Sequence, residues 1–244
     1  MMHEAADVLV AIPAHNEADS IRACLTSVVN ALRIGQQAGA IRRARVAVAA
    51  HRCSDDTVER CHAVLDRLPL EFLVWSVADE LPVGAVRTRL IQRAAQASPA
   101  LPDSAWVLST DADTVVPDDW ACALIAIGRD TGADLVLGLA ELDSWRADGA
   151  AQGRYRELID AAIDDGQHGH AYAANLAVRW STFRAVGGFP AVPHGEEHAL
   201  AAEIRRTGGR VVSPLQPRVR TSARMPGRAE HGLGALLARL ASGS

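Results

Sequence analysis

The chain contains no lysine: all 25 of its basic residues are arginine. That absence excludes lysine Schiff-base chemistry and any phosphate loop of the GxxxxGK[ST] type. Cysteine is sparse as well. Cys24, Cys53, Cys61 and Cys122 form no CxxC pair, so no disulfide scaffold is expected. His51 with Cys53, and Cys61 with His62, flank one helix start and lack the spacing of a tetrahedral zinc site. No run reaches the ~18 uninterrupted apolar residues of a membrane span. The opening MMHEAADVLVAIPAHNE has neither the basic region nor the apolar run of a signal peptide. A reduced, cytoplasmic setting is therefore expected. Basic excess is missing too. With 29 acidic residues the net charge is -4, which argues against a nucleic-acid partner held by phosphate neutralisation. What is present, 49% hydrophobic and 22% charged residues over 244 positions, suits one folded domain and not a disordered chain.

Strand and helix patterns alternate through the first half. Val8–Pro13, Arg45–Ala50, Phe72–Val77 and Trp106–Ser109 read as strands. Between them, Ala18–Ala38, Asp55–Leu68 and Ala85–Ala97 carry helical spacing. Continuous apolar strands alternating with helices predict an α/β fold, with a mainly parallel, Rossmann-like sheet covered on both faces. In the second half, Ala133–Ala140 and Tyr172–Val178 read as strands. Ala151–Asp164, the stretch before Gly187-Gly188, and Glu197–Arg206 read as helices. One domain is expected over 1–217, with halves of 1–115 and 116–217, followed by a mobile arginine-rich segment over 218–244.

Ligands of such sheets bind beyond the carboxyl ends of the strands. The first strand ends in Pro13-Ala14-His15-Asn16-Glu17, where Asn16 suits a helix N-cap and Glu17 a positive helix terminus. The fourth ends in Ser109-Thr110-Asp111-Ala112-Asp113-Thr114. Aspartate is a poor strand residue, and strand alternation puts Asp111 and Asp113 on one side. Two converging carboxylates repel unless a cation lies between them. A hard divalent metal completed by substrate phosphates meets that requirement.

The segments VLVAIPAHNEADSI, STDADTVVPDDW, NLAVRWSTFRAVGGFP and GEEHALAAEIRRTGGRV, in this order and spacing, resemble family 2 glycosyltransferases of the GT-A fold. The resemblance covers Val8 to Val212. It implies transfer of a sugar, of the hexosyltransferase type, from a nucleotide diphosphate sugar of UDP or GDP type to an acceptor hydroxyl, with inversion. It implies Mn²⁺ or Mg²⁺ on the diphosphate, held directly by Asp113 with Asp111 beside the metal and ribose. The same resemblance places Pro13, Ala14 and Glu17 in the nucleotide pocket. Arg87 and Ala112 fall near the nucleotide or diphosphate, and Asn175 near the sugar or acceptor. Glu196-Glu197 matches the family's Glu-Asp pair, whose second member is the usual base. Two carboxylates at a helix start favour the ionised form such a base needs.

Two positions depart from the family pattern. His51 stands where an aspartate commonly reads the base, while Asp55-Asp56-Thr57 is expected to cap the next helix. Glu197 stands where aspartate is usual. A further metal ligand in this fold is often a C-terminal histidine or aspartate; among the histidines His194 is the first candidate, with His168, His170, His198 and His231 behind it. Arg218, Arg220, Arg224 and Arg228 make either a solvated basic tail or a lid whose arginines fork onto the diphosphate. With 4% aromatic residues, stacking platforms are few, so a small acceptor is expected. A homodimer is left open. The competing readings are an inactive sugar-nucleotide-binding module and a nucleotidyltransferase. A dehydrogenase is disfavoured, because no GxGxxG follows the first strand.

Overall fold

The computed structural model describes residues 4–97, 99–143 and 149–223. Four strands, β1 (Ala6–Ala14), β2 (Ile41–His51), β3 (Glu71–Val77) and β4 (Trp106–Ser109), lie parallel in the order β3-β2-β1-β4. Helices α1 (Ile21–Gln37), α2 (Thr57–Leu65) and α3 (Val83–Gln96) connect the first strands, as the alternation predicts. The carboxyl ends of all four strands thus share one edge, at Ala14, His51, Val77 and Ser109.

Period-2 alternation along β1 builds both halves of the core. Val8, Val10 and Ile12 face one way, with Leu25 and Val28 of α1 and Leu65 of α2. Leu9 and Ala11 face the other way, with Val86, Leu90 and Ile91 of α3. A sheet buried on both faces needs this all-apolar strand, and each fully buried aliphatic side chain contributes about 1.5–3 kcal/mol.

The second half departs from the expected strands in several places. A helix not among those expected, α4 (Trp120–Asp130), covers the first face through Trp120 and Leu124. The stretch Ala133–Ala140 is two strands, β6 (Leu135–Leu137) and β7 (Leu139–Asp143), parted at Gly138. A helix, α5 (Gly149–Ala161), and a small hairpin of β8 (Ile163–Asp164) and β9 (Gln167–His168) follow. Next come β10 (Leu176–Arg179), α6 (Trp180–Ala185), α7 (Glu196–Arg206) and β11 (Val211–Val212). Strand β10 runs antiparallel between β4 and β6, and β11 completes a seven-stranded sheet. Phe183 of α6 and Leu200 and Ile204 of α7 cover its second face.

The segment expected as a mobile tail begins instead as a strand, β12 (Arg218–Ser222). It lies between β7 and the short β5 (Thr114–Val115) in a second sheet. Thr221 and Thr114 share a buried hydroxyl hydrogen bond of 2.9 Å. The remainder of that segment, including Arg224, Arg228 and His231, lies outside the described residues. Among the described residues, no helix is long and apolar enough to cross a membrane.

Candidate active site

The pair Asp111 and Asp113 follows β4 directly, but in a turn and not in the strand: Thr114 donates its N–H to the Asp111 carbonyl across 3.1 Å. The two aspartates therefore sit in a turn and not in the strand whose alternation was expected to align them. Cys24 of α1 lies beneath, its thiol donating to the Asp111 carbonyl at 3.2 Å. Burial pushes the Cys24 thiol up, and the negative charges of Asp111 and Asp113 push it further. Both carboxylates thus act on one point. Ala112 between them is buried.

One buried cation organises this corner. The Arg87 guanidinium, on α3 and 2% exposed, donates to the Ser109 hydroxyl at 2.6 Å and also to an Asp111 carboxylate oxygen. Its Nε stands 3.5 Å from Glu196 Oε1, at the head of α7. Burial works against the Arg87 charge, yet Asp111 and Glu196 outweigh it and hold the proton more tightly than usual. The sequence expectation put Arg87 near the nucleotide or diphosphate. In the structure its guanidinium is enclosed and engaged by the protein's own carboxylates.

Glu196 and Glu197 form the first turn of α7 behind Gly195, whose φ of +72° reverses the chain there without a Cβ clash. Burial pushes the Glu197 carboxyl up to about 7, with Glu196 and Asp111 adding to the rise. A helix start alone would favour the ionised form. Here desolvation and like charge win over the helix end and Arg87.

The donor set fits a small hard cation. Asp111 and Asp113 offer carboxylate oxygens, and a cation such as Mg²⁺ needs only one or two of these beside water and phosphate. Among the described residues, no three His, Cys, Asp or Glu side chains converge as a metal site. His194, exposed in the turn before α7, is therefore not brought to the two aspartates as a third ligand.

No family model matches the sequence, and no curated protein matches it in sequence. Solved structures do match in shape. Residues 1–349 of TarS from S. aureus, in complex with UDP-GlcNAc, superpose with a TM-score of 0.67 at 12% identity, covering 97% of this chain and 65% of that one. The mannosyltransferase PcManGT from Pyrobaculum calidifontis, in complex with GDP-Man and Mn²⁺, superposes with a TM-score of 0.69 at 17% identity, covering 90% of this chain and 58% of that one. The fold is the GT-A fold. The chain spans less than two thirds of the length of either neighbour.

On this GT-A frame the remaining candidates fall into two groups. Pro13, Ala14, Glu17 and His51 do gather at the carboxyl ends of β1 and β2. His51 donates Nε2–H to the Asp79 carbonyl at 2.9 Å and accepts at its own carbonyl from His15 Nδ1 at 2.7 Å. The Glu17 carboxylate accepts from the Ser20 hydroxyl at 2.6 Å, and its backbone N–H donates to Thr57 Oγ1 at 2.8 Å. Asn16 does not cap α1. It sits at φ +52° and its Oδ1 accepts from the Ser54 N–H at 2.7 Å, tying the first two strand ends together. Asp55 accepts from the Thr57 N–H at 3.1 Å at the start of α2, whereas Asp56, the residue directly before the helix, makes no side-chain cap.

Asn175 is the clear correction. Expected beside the sugar or acceptor, it is fully buried. Its Oδ1 accepts from the Trp120 indole at 2.9 Å, and its Nδ2 donates to the carbonyls of Leu139 and Pro217 at 2.8 and 2.9 Å. It joins four segments of the chain and presents nothing to a ligand. His168 is likewise buried, with Nε2 on the Leu137 carbonyl at 3.0 Å. His198 is on α7, where burial lowers its pKa.

Two residues of the corner escaped the sequence reading. Gly84 lies one turn before Arg87 on α3. A Cβ there would meet Glu196 Cβ and the Pro190 carbonyl at 2.8 Å. Ser222, the last residue of β12, donates its N–H to the Asp113 carbonyl at 3.2 Å. The GAVR spacing carried a signal for the first, a small residue three before the arginine. Nothing local signalled the second.

Proposed function

We propose that the protein is a metal-dependent glycosyltransferase. It moves a sugar from a nucleotide diphosphate sugar of UDP or GDP type to a hydroxyl of a small acceptor, inverting the anomeric carbon. One observation carries this reading. Arg87 draws the Asp111 turn and the Glu196-Glu197 helix head into one corner at the ligand-binding edge of a GT-A sheet. A nucleotide-binding scaffold alone has no need for a carboxylate there that titrates near neutrality.

An acceptor hydroxyl is far too weak an acid to ionise unaided, so its proton must leave as the new bond forms. Glu197 takes that proton, a contribution of about 10²- to 10⁴-fold in rate. Its elevated pKa brings it closer to the hydroxyl's and makes it a better acceptor above neutrality. Asp113 and Asp111 would hold Mn²⁺ or Mg²⁺. Bound there, the ion supplies Lewis-acid neutralisation of charge on the departing diphosphate. Pro13, Ala14, Glu17 and His51 line the edge along which the nucleoside lies. The solved neighbours support both donor types, since TarS holds UDP-GlcNAc and PcManGT holds GDP-Man with Mn²⁺. All four cysteines are free, in keeping with a cytoplasmic setting.

The test is release of nucleoside diphosphate from UDP-GlcNAc and from GDP-mannose in the presence of Mn²⁺. Release marks a transferase, because water substitutes for the acceptor. Binding without release marks a binding module.

A further inference from the structure

Arg87 is more completely enclosed than a substrate-binding arginine at this edge needs to be. Its side chain is 3% exposed and that of Glu196 7%, whereas that of Asp111 is 37% exposed. The guanidinium runs from the end of β4, at Ser109 and Asp111, to the first residue of α7. The helix α7 comes this close because position 84 is glycine, since a Cβ there would meet Glu196 Cβ and the Pro190 carbonyl at 2.8 Å.

We propose that Arg87 is a positioning residue that touches neither donor nor acceptor: with Gly84 it clamps Glu196 against Asp111, and so places the neighbouring Glu197 over the donor side. This assignment rests on the transferase reading and divides its two glutamates. Glu196 is the anchor, buried against the clamp. Glu197, the next residue on the helix, is left to meet the acceptor.

The geometry makes the two sides of the site unequal in their dependence on the clamp. The donor side is built from β1 and β2, paired in the central sheet, and from the turn after β4, where Ser222 of β12 holds the backbone of Asp113 independently of Arg87. The acceptor base rides on α7, whose register against α3 depends on the Gly84–Arg87 face. Loosening the clamp should therefore harm the chemical step more than donor binding. An arginine that gripped the diphosphate would behave in the opposite way.

The experiment compares wild type with Arg87→Met, Arg87→Lys and Gly84→Ala in the full chain. Circular dichroism reports folding, calorimetry with UDP or GDP plus Mn²⁺ reports donor-side affinity, and nucleoside diphosphate release reports turnover. Expected for Arg87→Met and Gly84→Ala is a fall in kcat of tenfold or more with nucleotide Kd within threefold of wild type. Arg87→Lys should recover part of kcat. Should Arg87→Met fail to fold, Gly84→Ala decides, because it displaces Glu196 while keeping the charge. A nucleotide Kd raised tenfold with kcat unchanged, in whichever of these variants folds, would overturn the assignment. Wild type that binds neither nucleotide would instead overturn the transferase reading on which it rests.

Discussion

The Trp120 indole N–H donates to Asn175 Oδ1 across 2.9 Å in the interior, and the carboxamide's other end reaches the carbonyls of Leu139 and Pro217. This bond ties α4 to β10, and through Pro217 to the start of β12. It also explains Gly138, where any Cβ would fall inside the Asn175 carboxamide.

Asn175→Ala should therefore act on stability and not on substrate recognition. It removes the partner of the buried Trp120 N–H and the carboxamide bonds to two carbonyls, and an unmet buried polar group costs about 1–3 kcal/mol. A loss of several kcal/mol in urea unfolding is expected, with nucleotide Kd unchanged at temperatures where the variant is folded. Weakened donor binding by a fully folded variant would restore the residue to the ligand site.

The pH dependence follows from Glu197. Its carboxyl is held up to about 7, mainly by burial and by Glu196. The base works only when ionised, so kcat should rise with pH through about 7 and level off above it. Glu196→Gln removes a like charge and should move that limb to lower pH. For stability the sign is the reverse. The folded pKa lies above the unfolded carboxyl's, so this group's contribution is complete below about 4.5 and is lost as pH rises towards 7. A rate profile flat between pH 6 and 8 would remove Glu197 from the role of base.

Metal dependence should be visible without turnover. UDP or GDP should raise the melting temperature appreciably only with Mn²⁺ present. At 100 times Kd a ligand adds about 2.7 kcal/mol to apparent stability. Asp113→Ala should abolish the metal-dependent part and leave the free protein's melting temperature close to wild type. An equal shift with EDTA would contradict a metal held at the turn.

Ser222, the last residue of β12, donates its N–H to the Asp113 carbonyl, and the lid expected of the arginine-rich segment that follows it in sequence is testable at Arg224. Arg224→Ala should accordingly raise the donor KM severalfold with little change in kcat. Unchanged kinetics would leave the segment a basic tail.

The strand ends were legible because each is short, continuous and apolar, and because the chemistry clusters where such strands stop. The DAD and GEE motifs stood out for the same reason: carboxylates at those places need an explanation. The helix α4 went unexpected although its buried positions, Trp120, Ala121, Leu124, Ile125 and Gly128, recur with helical spacing, because the exposed positions between them are also largely apolar. Strand β12 was hidden because RVRTS shows only a short alternation. Its pairing with β5 and β7 is between segments far apart in sequence. Asn175 and Arg87 were placed in the right neighbourhood but given the wrong surroundings. A buried polar residue and a ligand-binding one look alike until its hydrogen-bond partners are known.

The most direct measurement is nucleoside diphosphate release from UDP-GlcNAc and GDP-mannose with Mn²⁺, made on wild type and Glu197→Gln in parallel with nucleotide calorimetry. Expected is slow release by wild type from one of the two donors. Glu197→Gln should bind the same nucleotide with unchanged affinity and release it at least a hundredfold more slowly. Near-normal release by Glu197→Gln, or tight binding by wild type with no release from either donor, would contradict a transferase that uses Glu197 as its base.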